Sequence, residues 1–423
     1  MRNTANNDTR KVTAPRSRDR DPRLRRRLSY AVAGLGVILT TEFLSWFPDV
    51  VERYYTNGAG QWIVRALAQV SGMVPFSLVE LVLWAFMVWL LLPVPIAALD
   101  VARRRRGLRN VAVCGAARTA GAVGILVTLF YVLWGFNYAR ADFARRAGWN
   151  SARNDFSDSL NRNANDELFR LCAQLVFITN HYYEVANGCR DLGRPSAPGA
   201  TFDELDRSVD RAYVRVAELL ELHPTFALSR GPAKPVSSSR RMSTLGVAGF
   251  YFPFTGEANF NQDAPSCQRP FTIAHEKAHQ RCVTGEDEAN FIGYLACVTS
   301  DDPYVRYSGY LFAQRQLLSE LLKVDRERAM LLLEWRYRGV QRDVDWANLY
   351  WGTFRGAQQS VGRAVNNVYL KANRVSGGIK SYQMSARLLV LFAEQNGGSV
   401  IVGDARDTAF SGAQAFAGAA TEG

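Results

Sequence analysis

FTIAHEKAHQRCVTGEDEANF, residues 271–291, holds two of the chain's four histidines, with a glutamate beside the first. His275 and His279 stand four residues apart, so a helix puts both imidazoles on one face, about one turn apart, as two ligands of a single ion require. Glu276 lies where it can reach a water on that ion without binding the metal itself. Pro270, just upstream, suits a first helical turn. A catalytic zinc takes three protein ligands and keeps a fourth position open. Gly285 is expected to break the first helix and Thr284 to cap a second one that begins at Glu286. Two helices joined by such a turn can bring Glu286 back to the metal. Asn290, four residues further, shares its face and is expected to orient a ligand from behind. Glu288 points elsewhere on an ideal helix and is the reserve ligand. His181 and His223 lie far upstream without ligand-like company.

The same stretch excludes an intramembrane version of the motif. Lys277, Gln280, Arg281 and the acids Glu286, Asp287 and Glu288 would not be accepted by hydrocarbon. The site works in water. Its residue types point to metal-assisted hydrolysis of a peptide bond. His275, His279 and Glu286 hold zinc, while Glu276 takes a proton from the attacking water and passes it to the leaving amine. Two alternatives stay open at this point. One is a membrane-anchored binding or scaffold protein with a structural zinc, whose fourth ligand would be Cys282. The other is a zinc hydrolase acting on a different acyl substrate.

Around the motif the pattern is mainly helical. Residues 164–189 and 201–222 carry apolar residues at helical spacing, the second with the capping-box pair Thr201 and Glu204. TLGVAGFYFPFTGEANFN, residues 244–261, is rich in glycine, aromatics and β-branched residues and reads as one or two short strands. Its GVAGFYFPF part is either a sheet edge that pairs with an extended peptide or ordinary core. Tyr251, Tyr307 and Tyr310 are possible hydroxyl donors to an oxyanion, with nothing in the sequence to choose among them. Helical patterns return at 306–334, 345–374 and 381–396, with a break at residues 376–378.

Toward the N-terminus the chain changes character. Residues 28–47, 75–99 and 111–135 are each apolar and long enough to cross a bilayer. Ten basic residues against three aspartates precede the first run. DVARRRRGLR, residues 100–109, adds five arginines against one aspartate. Together the two clusters carry eleven of the twelve net positive charges, so the remainder is nearly neutral and offers no nucleic-acid-binding face. The 48–74 loop is poor in charge. The positive-inside bias therefore places the N-terminus and the arginine loop in the cytoplasm and everything after about residue 137 outside, as in a multi-pass cell-membrane protein. Residues 1–27 form a basic cytoplasmic tail, 28–136 three spans, 137–405 an extracytoplasmic domain and 406–423 a flexible tail. Six scattered cysteines are too few for a disulfide framework.

Three separated motifs in order, LWGFNYAR at 133–140, GFYFPFTGEANFN at 249–261 and AHEKAHQR followed by EDEANF, resemble the DUF3810 family of bacterial membrane proteins. The resemblance implies three membrane helices followed by a mostly helical, zincin-like metallopeptidase domain with a small β element, and Zn²⁺ as cofactor. It also implies a peptide or protein substrate and lipid contact through the spans. The element from Glu286 to Asn290 is similar to one in ImmA/IrrE-type metallopeptidases, which implies that Glu286 is the third zinc ligand. The chain departs from the family pattern at Cys282, where glycine is usual. A thiolate there would compete with that ligand set.

Overall fold

Three apolar runs become the long helices at the start of the chain: α1 (Pro22–Leu44), α4 (Leu78–Leu91) continued after Pro93 as α5 (Pro93–Ala102), and α6 (Leu108–Leu133). Among the described residues these are the helices long and apolar enough to cross a membrane. The computed structural model describes residues 22–105, 107–149, 162–372 and 381–403. Most of the expected basic tail, the expected break at 376–378 and the expected tail at 406–423 lie outside those residues.

The chain divides into two compact units. The smaller takes in residues up to Thr40 together with Leu91–Leu129. Within it, small residues bring helices close: a Cβ on Gly124 of α6 would lie 2.2 Å from the Tyr30 carbonyl oxygen of α1. The larger unit combines Thr41–Leu90 with the residues from Phe130 on. The boundary expected at 137 therefore falls inside it. Residues 48–74, read from sequence as a loop, are helical: α2 (Pro48–Val50), a π-helical turn (Val51–Ala59) and α3 (Gly60–Gly72). Val64, Ala68 and Ser71 form the buried face of α3 at helical spacing.

After α6 comes a short 3₁₀ turn, Gly135–Ala139, and a single turn, α7 (Phe143–Arg146). The core is built mainly from α8 (Arg162–Asn187), α9 (Phe202–Leu219), α11 (Arg269–His279), α12 (Glu286–Val298), α13 (Pro303–Val324) and α17 (Ser381–Gln395). Helix α9 starts with the expected capping box, Glu204 accepting from the Thr201 N–H at 2.8 Å. Helix α12 is buried along nearly its whole length. That is why its AN-FIGYLACV run is apolar on every side rather than striped. The helices α14 (Arg326–Glu334), α15 (Arg338–Thr353) and α16 (Ala357–Ala372) complete the C-terminal half.

The β element is a three-stranded sheet in the order β1 (Lys234–Pro235), β3 (Glu257–Phe260), β2 (Gly249–Phe252), with the short helix α10 (Ser239–Leu245) between β1 and β2. Strand β3 pairs parallel with β1 and antiparallel with β2, Tyr251 facing Ala258. The hairpin β2–β3 is the strand pair expected in 244–261. Strand β1 escapes a sequence reading because it is two residues long and one is proline. Strand β2 lies at the edge of the sheet, beside α11.

Candidate metal centre

Helix α11 carries His275, Glu276 and His279, all three buried. Pro270 sits in its first turn, as the sequence suggests. The helix is anchored on its far side by charge. Fully buried Lys277 pairs with Asp206 at 2.7 Å and Asp210 at 3.0 Å of α9, and the Arg281 guanidinium pairs with Asp210 at 2.9 Å. Tyr213 donates its hydroxyl to the Ala274 carbonyl at 2.5 Å.

The turn that ends α11 is made by Cys282. Its backbone lies in the left-handed region at φ 65°, and the Val283 N–H returns to the Ala278 carbonyl at 3.3 Å. Left-handed backbone costs a non-glycine residue about 1–2 kcal/mol, so glycine is the natural occupant of this position. Gly285, expected to break the first helix, instead stands as the N-cap of α12, and Thr284 does not take that position. The Val283 carbonyl produced by the turn accepts from His279 Nδ1 at 2.7 Å. With Nδ1 donating there, Nε2 is the nitrogen that faces His275 and Glu286.

Helix α12 then begins with Glu286 beside both histidines. Gly293 of α12 allows the close crossing, since a Cβ there would lie 3.0 Å from the His275 nitrogen. His275 Nε2 and His279 Nε2 are 3.2 Å apart, and Glu286 Oε2 is 3.2 Å from the first and 3.7 Å from the second. A zinc with bonds of about 2.0–2.1 Å in tetrahedral geometry separates its ligand atoms by about 3.3–3.4 Å. The trio fits that spacing, and the donor set of two imidazoles and a carboxylate suits zinc. Among the described residues it is the group of three or more His, Cys, Asp or Glu side chains placed to share an ion.

The electrostatics agree with a site that wants a cation. Burial alone would lower the His279 pKa, but the hydrogen bond and charge of Glu286 outweigh it and hold the imidazole up to about 9. Burial would raise Glu286, yet hydrogen bonds from His275 and His279 keep it well below the usual carboxylate range. Glu276 is pushed up to about 7 by burial, against the pull of the two histidines. A carboxyl that titrates near neutrality can both take up and release a proton there.

These side chains open on a cleft of about 760 Å³. One wall is the edge strand, with Gly249, Phe250 and Tyr251. Another is α16, whose Val361 and Arg363 line it. Trp134 and Tyr138 close one end. The Trp134 indole donates to the His279 carbonyl at 3.2 Å and packs on Tyr251 with centroids 5.3 Å apart. Asn290 also lines the cleft. Its Nδ2 is buried with no hydrogen-bond acceptor among the described residues, so it is not tied to Glu286 as expected but offers an unspent donor.

Three other readings from the sequence also find their places. Glu288, the reserve ligand, faces away: it accepts from the Phe143 N–H at 2.6 Å and pairs with Arg146 at 3.0 Å. The Cys282 thiol sits in a small cluster with Val64 and Trp134, outside the His–His–Glu group. Burial pushes it up to about 11, so it is a thiol and not a thiolate near neutral pH. Tyr307 donates to Asp343 at 2.7 Å and Tyr310 stacks on Tyr182, and neither lines the cleft, whereas Tyr251 does. Among the described cysteines all six are free.

Trp134, Tyr138 and Gly249 had no role assigned from sequence. The signal was there in part, since LWGFNYAR and GFYFPF are aromatic runs set beside glycine, but aromatics pack cores far more often than they line sites. Residues 55–390 match the family model described as a protein of unknown function, DUF3810. No curated protein and no solved structure matches the chain.

Proposed function

This chain belongs to the DUF3810 family, and we propose that it is a membrane-anchored zinc metallopeptidase whose site faces the outside of the cell membrane. The observation that carries this reading is the convergence of His275 Nε2, His279 Nε2 and Glu286 on one point, in a cleft shared with the buried carboxyl of Glu276. Zinc held there supplies Lewis acidity and brings the pKa of a water near neutrality.

The chain's own residues do the rest. The Val283 carbonyl fixes the His279 ring so that Nε2 faces His275 and Glu286, with which it would hold the ion. Glu276 accepts the proton of the attacking water and returns it to the leaving amine nitrogen. An extended peptide pairs with the free edge of β2, which sets its scissile carbonyl over the cleft. Asn290 Nδ2 has a hydrogen to donate to that carbonyl as charge develops on its oxygen. A structural zinc would need a fourth protein ligand, and the removal of Cys282 from the group supports an open position instead.

The orientation rests on chain direction and charge. Helix α4 starts at amides held by Glu257, and the residue after α6 is Trp134 of the cleft. The arginine-rich loop at 103–109 joins the opposite ends of these helices, so the positive-inside bias puts that loop in the cytoplasm and the cleft outside.

The test is zinc analysis of the full chain with a peptide-library cleavage screen, wild type beside Glu276→Gln. The variant keeps its zinc and loses at least 100-fold in hydrolysis. Full activity in it ends the general-base role. Unchanged zinc content in His279→Ala counts against the ligand set.

A further inference from the structure

The cleft is built onto the ends of membrane helices. Helix α6 has 26 residues and ends at Leu133. The next residue, Trp134, lines the cleft, and its indole holds the carbonyl of His279 at 3.2 Å. The start of α4 is fixed as firmly. Glu257 of β3, paired across the sheet with Phe252 of the edge strand, accepts from the N–H groups of Leu78 and Val79, each at 3.2 Å. Its carboxylate is buried and also pairs with Lys234 at 2.6 Å. Glu80, one residue further into α4, accepts from the Ser237 and Ser238 amides at 3.0 Å.

Between α1 and α4 lies α3, packed by its inner face against the β2–β3 turn. A Cβ on Gly256 would lie 2.9 Å from the Ala68 nitrogen. The outer side of α3 and the residues that follow it expose Trp62, Val70, Met73 and Phe76, with Met73 82% exposed. An apolar, Trp-bearing face tied at both ends to membrane-crossing helices is the composition of a segment lying in the bilayer interface.

Length turns this into a distance. Helix α6 spans about 39 Å at 1.5 Å per residue, and the hydrocarbon layer is about 30 Å thick. The helix is long enough to cross, and its apolar run from Ile125 ends at Leu133, so that residue marks the outer edge of the span. One indole and one hydrogen bond further, on the order of 10 Å, lies His279. An extended chain covers that distance of about 10 Å in about three residues at about 3.3 Å each.

We infer, resting on the peptidase reading above, that the substrates are polypeptides tethered to the same membrane and cut within about ten residues of the bilayer surface. A substrate anchored in the same bilayer arrives with its extracytoplasmic stem at the height of the cleft. Anchoring both partners in one plane also raises the effective concentration of that stem. A freely diffusing peptide has neither advantage.

The experiment reconstitutes the full chain with zinc into liposomes, alongside single-span peptides that carry a randomised thirty-residue outer segment. A parallel sample receives the same randomised segment without its anchor, and cleavage positions are read by mass spectrometry. The expected result is at least tenfold more cleavage of the anchored pool, clustered within about ten residues of the anchor, and absent with Glu276→Gln. Equal cleavage of both pools, or sites spread evenly along the anchored segment, overturns the inference while leaving the peptidase reading intact. Cleavage of neither pool, with wild type and Glu276→Gln indistinguishable, removes both.

Discussion

Replacing Gly249 by alanine moves the proposed general base without touching a metal ligand. The added Cβ would lie 2.7 Å from Glu276 Oε1, 2.8 Å from its Cγ and 2.7 Å from Thr272 Cγ2. Carbon atoms in contact sit about 3.5–4.0 Å apart, so the carboxylate must retreat by roughly 1 Å. A misplacement of that size costs on the order of 100-fold in rate, about 2.7 kcal/mol of transition-state stabilisation. Overpacking adds about 1–3 kcal/mol of destabilisation. The assay uses the full chain in nanodiscs with a quenched fluorescent peptide chosen from the library screen, plus elemental analysis for zinc and a thermal melt. The expected outcome is full zinc occupancy, kcat reduced about 100-fold and a melting temperature a few degrees lower. An unchanged kcat would refute the placement of Glu276 against β2. Joint loss of zinc and activity would show that β2 supports the ligands rather than the base.

Zinc affinity should rise with pH. His279 holds its proton up to about 9, so below that value the ion must displace it, and affinity increases about tenfold per unit from pH 6 to 9. Calorimetric titration in buffers of different ionisation enthalpy counts the released proton, and a flat profile would contradict the shift. The sign for the metal-free protein is opposite. A raised histidine pKa stabilises below about 6.5 and that stability is lost as pH climbs through about 9, which chelator-treated melts would register. Cys282→Ser should keep the full zinc content, and the cobalt-substituted wild type should lack a thiolate charge-transfer band. Such a band that disappears in the variant would return Cys282 to the ligand set. Lys277→Ala strips buried Asp206 of its ammonium partner and should cost about 3–5 kcal/mol in denaturant unfolding; a loss under 1 kcal/mol would show that the pair is not needed to seat α11.

What the sequence revealed about the site was what is local. His275 and His279 are one helical turn apart in any helix, and Glu286 opens the next one, so their meeting depends on a single turn. The nature of that turn was not legible. Cys282 reads as a thiol near a metal, whereas its role is a backbone conformation, φ 65°, with the thiol directed into a cluster that includes Val64 and Trp134. Glu288 reads as a spare ligand because its partners, Arg140 and Arg146, lie more than 140 residues away. Trp134 and His279 are separated by 145 positions for the same reason. The apolar spans were legible from composition, with ends shifted by a few residues. Residues 48–74 were not recognised as helical, because a short amphipathic helix between two spans shows its pattern only when the surface that buries it, here Gly231, Lys234 and Gly256, is known.

The grip of Glu257 on Leu78 and Val79 sets an order of assembly. The carboxylate and the amides it receives are 179 and 178 positions apart, with the amides made first. Helix α4 therefore leaves the ribosome long before the sheet that clasps it exists. The sheet's buried glutamate keeps Lys234 as its charge partner but lacks two amide donors until that helix start is in place. Completion of the half that holds the cleft thus waits on a helix already laid down, and a chain without that helix start in place would leave Glu257 short of two of its donors.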